Sequence, residues 1–155
     1  MSDRAVRFVI PLRLQHERKR NVPLREKGGA IKTVRRVDVP EAAEWKAMAR
    51  IFAIEAMAGR LPFDEPVGVD LLFYRARPKS TRKQVMYPMT RPDRSNYLKL
   101  AEDALNGVCY TDDALICDGR TAKLFGDPER IEVVIWRLQE DWPYDRRVKE
   151  GEDRE

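Results

Sequence analysis

The sequence predicts a single α+β domain: a small mixed β-sheet with two principal helices packed on it. Three observations carry this expectation. A length of 155 residues suits one domain with one modest core. Apolar residues recur with a two-residue period in some segments and a helical period in others. Proline and glycine fall at the changes of period.

Val6 to Leu12 reads as a first strand, rich in β-branched residues and ended by Pro11. Residues 13–36 are basic and polar around Gly28-Gly29, which predicts a long loop or a mobile hairpin. A helix starts after Pro40, with Glu41 and Glu44 in the turn where a helix dipole favours acids. Trp45, Met48, Ile51, Phe52, Ile54 and Met57 give it an apolar stripe, and Gly59 stops it. Val67 to Tyr74 alternates as a second strand. The connection 75–92 contains Pro78, Pro88 and Pro92 and is not helical. Ser95 to Leu105 predicts a second helix closed by Asn106-Gly107, with Tyr97, Leu98, Ala101 and Leu105 on its buried side. Short strands follow at Ala114–Cys117 and Thr121–Phe125, and a last one at Ile131–Leu138. The domain is expected to span residues 1–139, with residues 140–155 a loose acidic tail.

The formal charge is +4, and its distribution is uneven. Residues 1–36 hold eleven Lys/Arg against three acids, and residues 75–94 hold seven against Asp93 alone. Residues 140–155 hold seven acids against four bases. Two concentrated basic segments suit a polyanionic partner. No run approaches the length of apolar residues that spans a bilayer, and the start of the chain has no apolar signal region. A cytoplasmic protein with no membrane partner is the expectation, with Cys109 and Cys117 as reduced packing residues.

The informative stretch runs from Arg91 to Lys123. Asp93 precedes the second helix, and Asn96, Lys99 and Asp103 share one face of it. After the Asn106-Gly107 turn, Asp112 and Asp113 arrive on a connection able to fold back beside Asp93. Carboxylates from two loops beside a lysine suit a hard divalent cation and a phosphodiester, the cation orienting water for in-line displacement. Lys99 suits charge developing on the phosphate or leaving group. Spacing alone leaves a plainer alternative open. Asp93 is also a good helix N-cap, and Asp112-Asp113 are good turn residues.

With Pro92, Asp93, Asn96, Lys99, Asp103, Asn106, Gly107, Asp112 and Asp113 at these spacings, the stretch resembles the RusA family of Holliday junction resolvases. Asp118, Arg120 and Lys123 fall where that family tends to be polar or basic. The resemblance implies a homodimeric, magnesium-dependent endodeoxyribonuclease, with manganese as a substitute, that nicks four-way junctions and related branched DNA symmetrically. Its setting would be DNA recombination and repair, often in a phage. It implies Asp93, Lys99 and Asp113 as catalytic residues, and Asp93 and Asp113 as metal ligands with Asp112, Asp103 and Ser95 beside them. Asn96 and Lys123 take supporting roles.

Ser95 stands where the family pattern has a second acid, and a neutral hydroxyl is a weaker ligand. A branched-DNA-binding protein that cleaves weakly or not at all is therefore the alternative reading. A general phosphodiesterase or RNA nuclease is a third. Arg77, Lys79, Arg82 and Lys83, which lead into the acidic motif, are the expected DNA contacts, with Arg91 and Arg120 nearby. Tyr87 and Tyr110 are candidates for stacking on unpaired bases, against the competing reading of ordinary packing. His16, the one histidine, is expected to have no catalytic role.

Overall fold

A computed structural model describes residues 5–138. The predicted acidic tail lies outside them. The expected α+β architecture is what the chain adopts. β1 (Ala5–Ile10) pairs antiparallel with β7 (Arg130–Arg137), which pairs antiparallel with β4 (Val67–Arg75). β5 (Ile116–Asp118) and β6 (Thr121–Phe125) then run parallel to successive parts of β4, so the sheet is mixed. Between them Gly119 adopts φ +143° against the Val69 carbonyl, which a Cβ would strike. Only glycine fits that crossing.

The sheet buries one face. Val6 and Ile10, Val67, Val69, Leu71 and Phe73, and Ile131, Val133 and Ile135 all turn inward at the two-residue strand period. β1 ends at Ile10 instead of the expected Leu12, because Pro11 has no N–H for the ladder. The predicted strand 114–117 is also shorter: residues Asp113–Leu115 form a 3-10 turn before β5 begins. The Asp112 carboxylate accepts the Ala114 N–H at 2.8 Å and favours that turn.

α1 (Pro40–Met57) packs on β1 and on α2 (Arg94–Leu105). Its buried stripe is Ala42, Trp45, Ala49, Ala53 and Met57. Met48, Ile51 and Ile54, expected on the inner face, are 47%, 56% and 58% exposed. Alanine at the contact lets the helix axes approach closely, which leaves the larger side chains outside. The left-handed turn that ends α1 begins at Ala58, one residue before the expected Gly59. Arg50 donates to the carbonyls of Ala104 and Asn106 at 3.2 and 2.9 Å, satisfying the C-terminal end of α2. α2 buries Tyr97, Leu100, Ala101, Ala104 and Leu105.

The predicted loop or hairpin is a hairpin. β2 (Lys19–Arg25) and β3 (Ile31–Asp38) pair antiparallel as a separate two-stranded ribbon. Among the described residues no helix is long and apolar enough to cross a membrane.

Candidate functional site

The motif residues lie on α2 and on the two loops that flank it in sequence. Asp93 is the N-cap residue of α2, yet its side chain accepts no capping hydrogen bond. The carboxylate is exposed and free for other ligands. The loop that carries it is braced by its neighbours. Lys123 on β6 donates to the carbonyls of Thr90 and Pro92 at 2.9 and 3.0 Å. Arg75 at the end of β4 donates to the Thr90 hydroxyl and the Arg91 carbonyl. Arg94 donates to the Thr121 carbonyl at 3.0 Å. Burial holds the Lys123 amine below its ordinary range, Arg75 adds to that, and the Asp93 charge opposes it.

The second loop is held by buried groups. Phe63 and Tyr110 form a parallel bridge, and the Tyr110 hydroxyl donates to the Glu102 carbonyl at 2.9 Å. Tyr110 is fully buried, so the candidate for base stacking is instead a core residue. Asp112 and Asp113 follow it, both exposed. Asp112 spends one oxygen on the turn, as the plainer alternative anticipated.

On α2, Lys99 is 63% exposed at its side chain. Its amine lies 3.9 Å from Glu17, whose backbone N–H donates to the Asn96 carbonyl at 2.9 Å. Glu17 also holds Lys19 at 2.8 Å. That hydrogen bond is the main reason its carboxyl lies below the ordinary value, with the charges of Lys19, Lys99 and Arg36 acting the same way. Asp103 faces Lys46 of α1 at 3.9 Å. Glu102 is raised by burial first, then by the neighbouring charges of Asp113 and Asp103. Sequence spacing did not single out Glu17 or Glu102. Glu17 lies far off in sequence, and Glu102 sits on the partly buried side of the helix.

The predicted DNA contacts separate into two kinds. Lys79, Arg82, Lys83, Arg91 and Arg120 are exposed. Arg77 donates to the carbonyls of Arg82 and Val85, and its guanidinium lies 4.3 Å from the Phe125 ring centre. It therefore shapes the basic loop. Arg120 joins Arg7 and Arg94, which sequence reasoning missed, in a cleft of about 690 Å³ with Asp70, Asp118 and Trp136. Tyr87 is 59% exposed. His16 sits edge-on to Tyr97, and burial then Arg18 lower its basicity. Cys109 is buried, with its thiol pushed up to about 12, and both cysteines are free thiols.

Residues 15–136 match the family model described as endodeoxyribonuclease RusA. The chain belongs to the RusA family. A second comparison finds an uncharacterized protein, YqaN of Bacillus subtilis strain 168, 36% identical over 80 residues. That match covers 45% of this chain and 56% of the relative, so the chain spans little more than half of the curated relative it matches.

RusA-family nucleases generally use a divalent metal, and the donor chemistry here fits one. The available ligands are oxygens, and Asp93 and Asp113 are exposed acids on separately braced loops. Among the described residues no three His, Cys, Asp or Glu groups form a ready-made cluster. Magnesium commonly takes only one or two carboxylates, completed by water and substrate phosphate, so that arrangement is compatible with the group.

Proposed function

We propose that this RusA-family chain is a divalent-metal-dependent endodeoxyribonuclease that cuts branched DNA, four-way Holliday junctions above all, by paired symmetric nicks. The observation that carries this reading is the state of Asp93. It sits at a helix N-cap without capping, its loop braced from β4 and β6, in a family whose model covers the whole acidic stretch. Asp93 and Asp113 are the proposed metal ligands, with Asp112, Asp103 and Ser95 in supporting positions. Magnesium is the expected ion and manganese a substitute. When bound, such an ion activates water and neutralises phosphate charge.

The chain's own residues do the rest. Lys99, held near Glu17, presents its charge to the phosphate that is cut. Asn96, on the same turn of α2, orients an acid or a water. Lys123 fixes the loop that aims Asp93, so it acts by positioning. Lys79, Arg82, Lys83 and Arg91 bind flanking phosphates, Arg77 holds their loop in shape, and Arg120 serves the neighbouring cleft. Symmetric nicking requires two copies of the site, and we take the working unit to be a homodimer. The exposed stripe of Met48, Ile51 and Ile54 on α1 supplies apolar surface for such contact.

One observation favours a second reading. Ser95 is neutral, and no three acids are grouped among the described residues, which suits a junction-binding protein with little cleavage. A labelled four-way junction incubated with magnesium separates the two, with linear duplex as competitor and Asp93→Asn as control. Paired nicks that disappear in the variant support the nuclease. Tight binding without cleavage in magnesium or manganese supports the binding protein, and preferential cutting of linear DNA or RNA refutes both.

A further inference from the structure

Neither the core nor the acidic site accounts for the β2–β3 ribbon. Among the described residues it pairs only with itself and contributes no residue to the buried core. From Lys19 to Asp38 it carries seven lysines and arginines against two acids, Glu26 and Asp38. Among the described residues, Lys19 is the only one of the seven in an ion pair. Six cations thus have no ion-pair partner among the described residues, on a ribbon about 23 Å long, seven residues at roughly 3.3 Å each. Like charge at that density opposes its own confinement, and a polyanion relieves it by releasing condensed counterions.

The register places that charge on both sides. Arg20 and Arg35 project from one face, opposite Val37 and Val22. Lys19 and Arg36 project from the other, with Lys27 and Lys32 toward the tip. A two-stranded ribbon fits the roughly 12 Å major groove of duplex DNA. Cations on both faces then meet the phosphate rows along both walls. Leu24, Ile31 and Val34, 44%, 57% and 53% exposed, gain sugar and base-edge contacts there in place of water.

The root of the ribbon is fixed. The Val39 N–H donates to the Arg18 carbonyl at 3.0 Å, and Asp38 pairs with Lys46 at 2.5 Å. Glu17, just before β2, is hydrogen-bonded to Asn96 in the first turn of α2. The ribbon therefore leaves the domain beside Ser95, Asn96 and Lys99.

We propose that the ribbon is an arm that grips duplex DNA, lying in a groove of one substrate arm and holding it against the first turn of α2. The identity of the nucleic acid rests on the branched-DNA reading above; the gripping role rests on the ribbon's own charge and placement.

The test is binding without divalent metal, followed by fluorescence anisotropy of labelled four-way junction and labelled duplex across a salt series. Three proteins are compared: the full chain, the triple variant Lys27→Ala/Lys32→Ala/Arg35→Ala, and a chain with residues 21–36 replaced by a short Gly-Ser turn. Each phosphate contact adds roughly 0.9 to the slope of log affinity against log salt. The triple variant should lose about 2–3 of that slope, and on the order of 100-fold in affinity at 0.1 M salt. The shortened chain should lose at least as much. Both should keep the parent's thermal midpoint, since the ribbon holds no core residue.

Unchanged slope and affinity in both variants overturns the proposal. So does a parent that binds phosphatidylserine vesicles but no DNA. A parent that binds with the ribbon-dependent slope, yet cuts nothing in magnesium, leaves the arm standing and refutes the nuclease reading instead.

Discussion

The two helices share one core and serve it in opposite ways. α2 buries large side chains, Tyr97, Leu100 and Leu105, and keeps Asn96, Lys99 and Asp103 on its polar side. α1 buries three alanines with Trp45 and Met57, and leaves Met48, Ile51 and Ile54 outside. For α2 the bulky residues mark the inside, so its polar face stands out as available for chemistry. For α1 they fall on both sides, Trp45 and Met57 within and Met48, Ile51 and Ile54 without. Apolar size tells where a helix can bury surface, but the contact distance decides whether it does.

Five substitutions bear on this contrast between the helices. The largest effect belongs to the polar side of α2. Lys99→Ala should lower the single-turnover cleavage rate by on the order of 100-fold or more, with a urea midpoint close to the parent's. Parental cleavage would mean that α2 carries no chemistry on that face. On α1, Ala53→Leu forces bulk into a closed contact and should cost about 1–3 kcal/mol in urea unfolding. Ile54→Ala, one residue on, should cost well under half as much. Reversed costs would show that α1 is seated on its bulky face after all.

Lys123→Met tests whether the loop leading into α2 needs its brace from β6. Loss of the two carbonyl contacts should lower cleavage about tenfold without changing the slope of DNA affinity against salt. A lost slope would make Lys123 a phosphate contact and not a positioning residue. The smallest effect is at Glu17. Its carboxyl is lowered chiefly by the hydrogen bond from Lys19, so the ionised form stabilises the fold above the ordinary carboxylate value. That contribution is lost as pH falls through the lowered value. Glu17→Gln should therefore be less stable than the parent at pH 7 by under about 1 kcal/mol, since exposed pairs are screened. The gap should close in acid. A gap that widens in acid would contradict the assignment.

The sequence read well where local rules and burial agree. β4, β7 and α2 lie within a residue or so of their expected ranges, because alternation or helical spacing there coincides with the buried side. The acidic motif was legible as a set of residues, since Asp93, Asn96, Lys99 and Asp113 depend on local spacing around one helix. Contacts that close long loops were not. Glu17 reaches α2 through a backbone bond to Asn96, and Lys123 reaches back to Pro92. Neither approach leaves a periodic trace. The ribbon strands were hidden for another reason: with almost no buried face, they need no alternation of apolar and polar residues. The alanine face of α1 was concealed by bulkier neighbours.

We propose that Asp93 and Asp113, on two separately braced loops, act as one metal-binding pair. Manganese binding followed by electron paramagnetic resonance, on protein loaded with a four-way junction, tests it most directly. The parent should hold a bound ion that is lost alike in Asp93→Asn and in Asp113→Asn, while junction binding persists in both. Retention of the bound ion in either variant would contradict the pair, and would place the metal elsewhere on the chain.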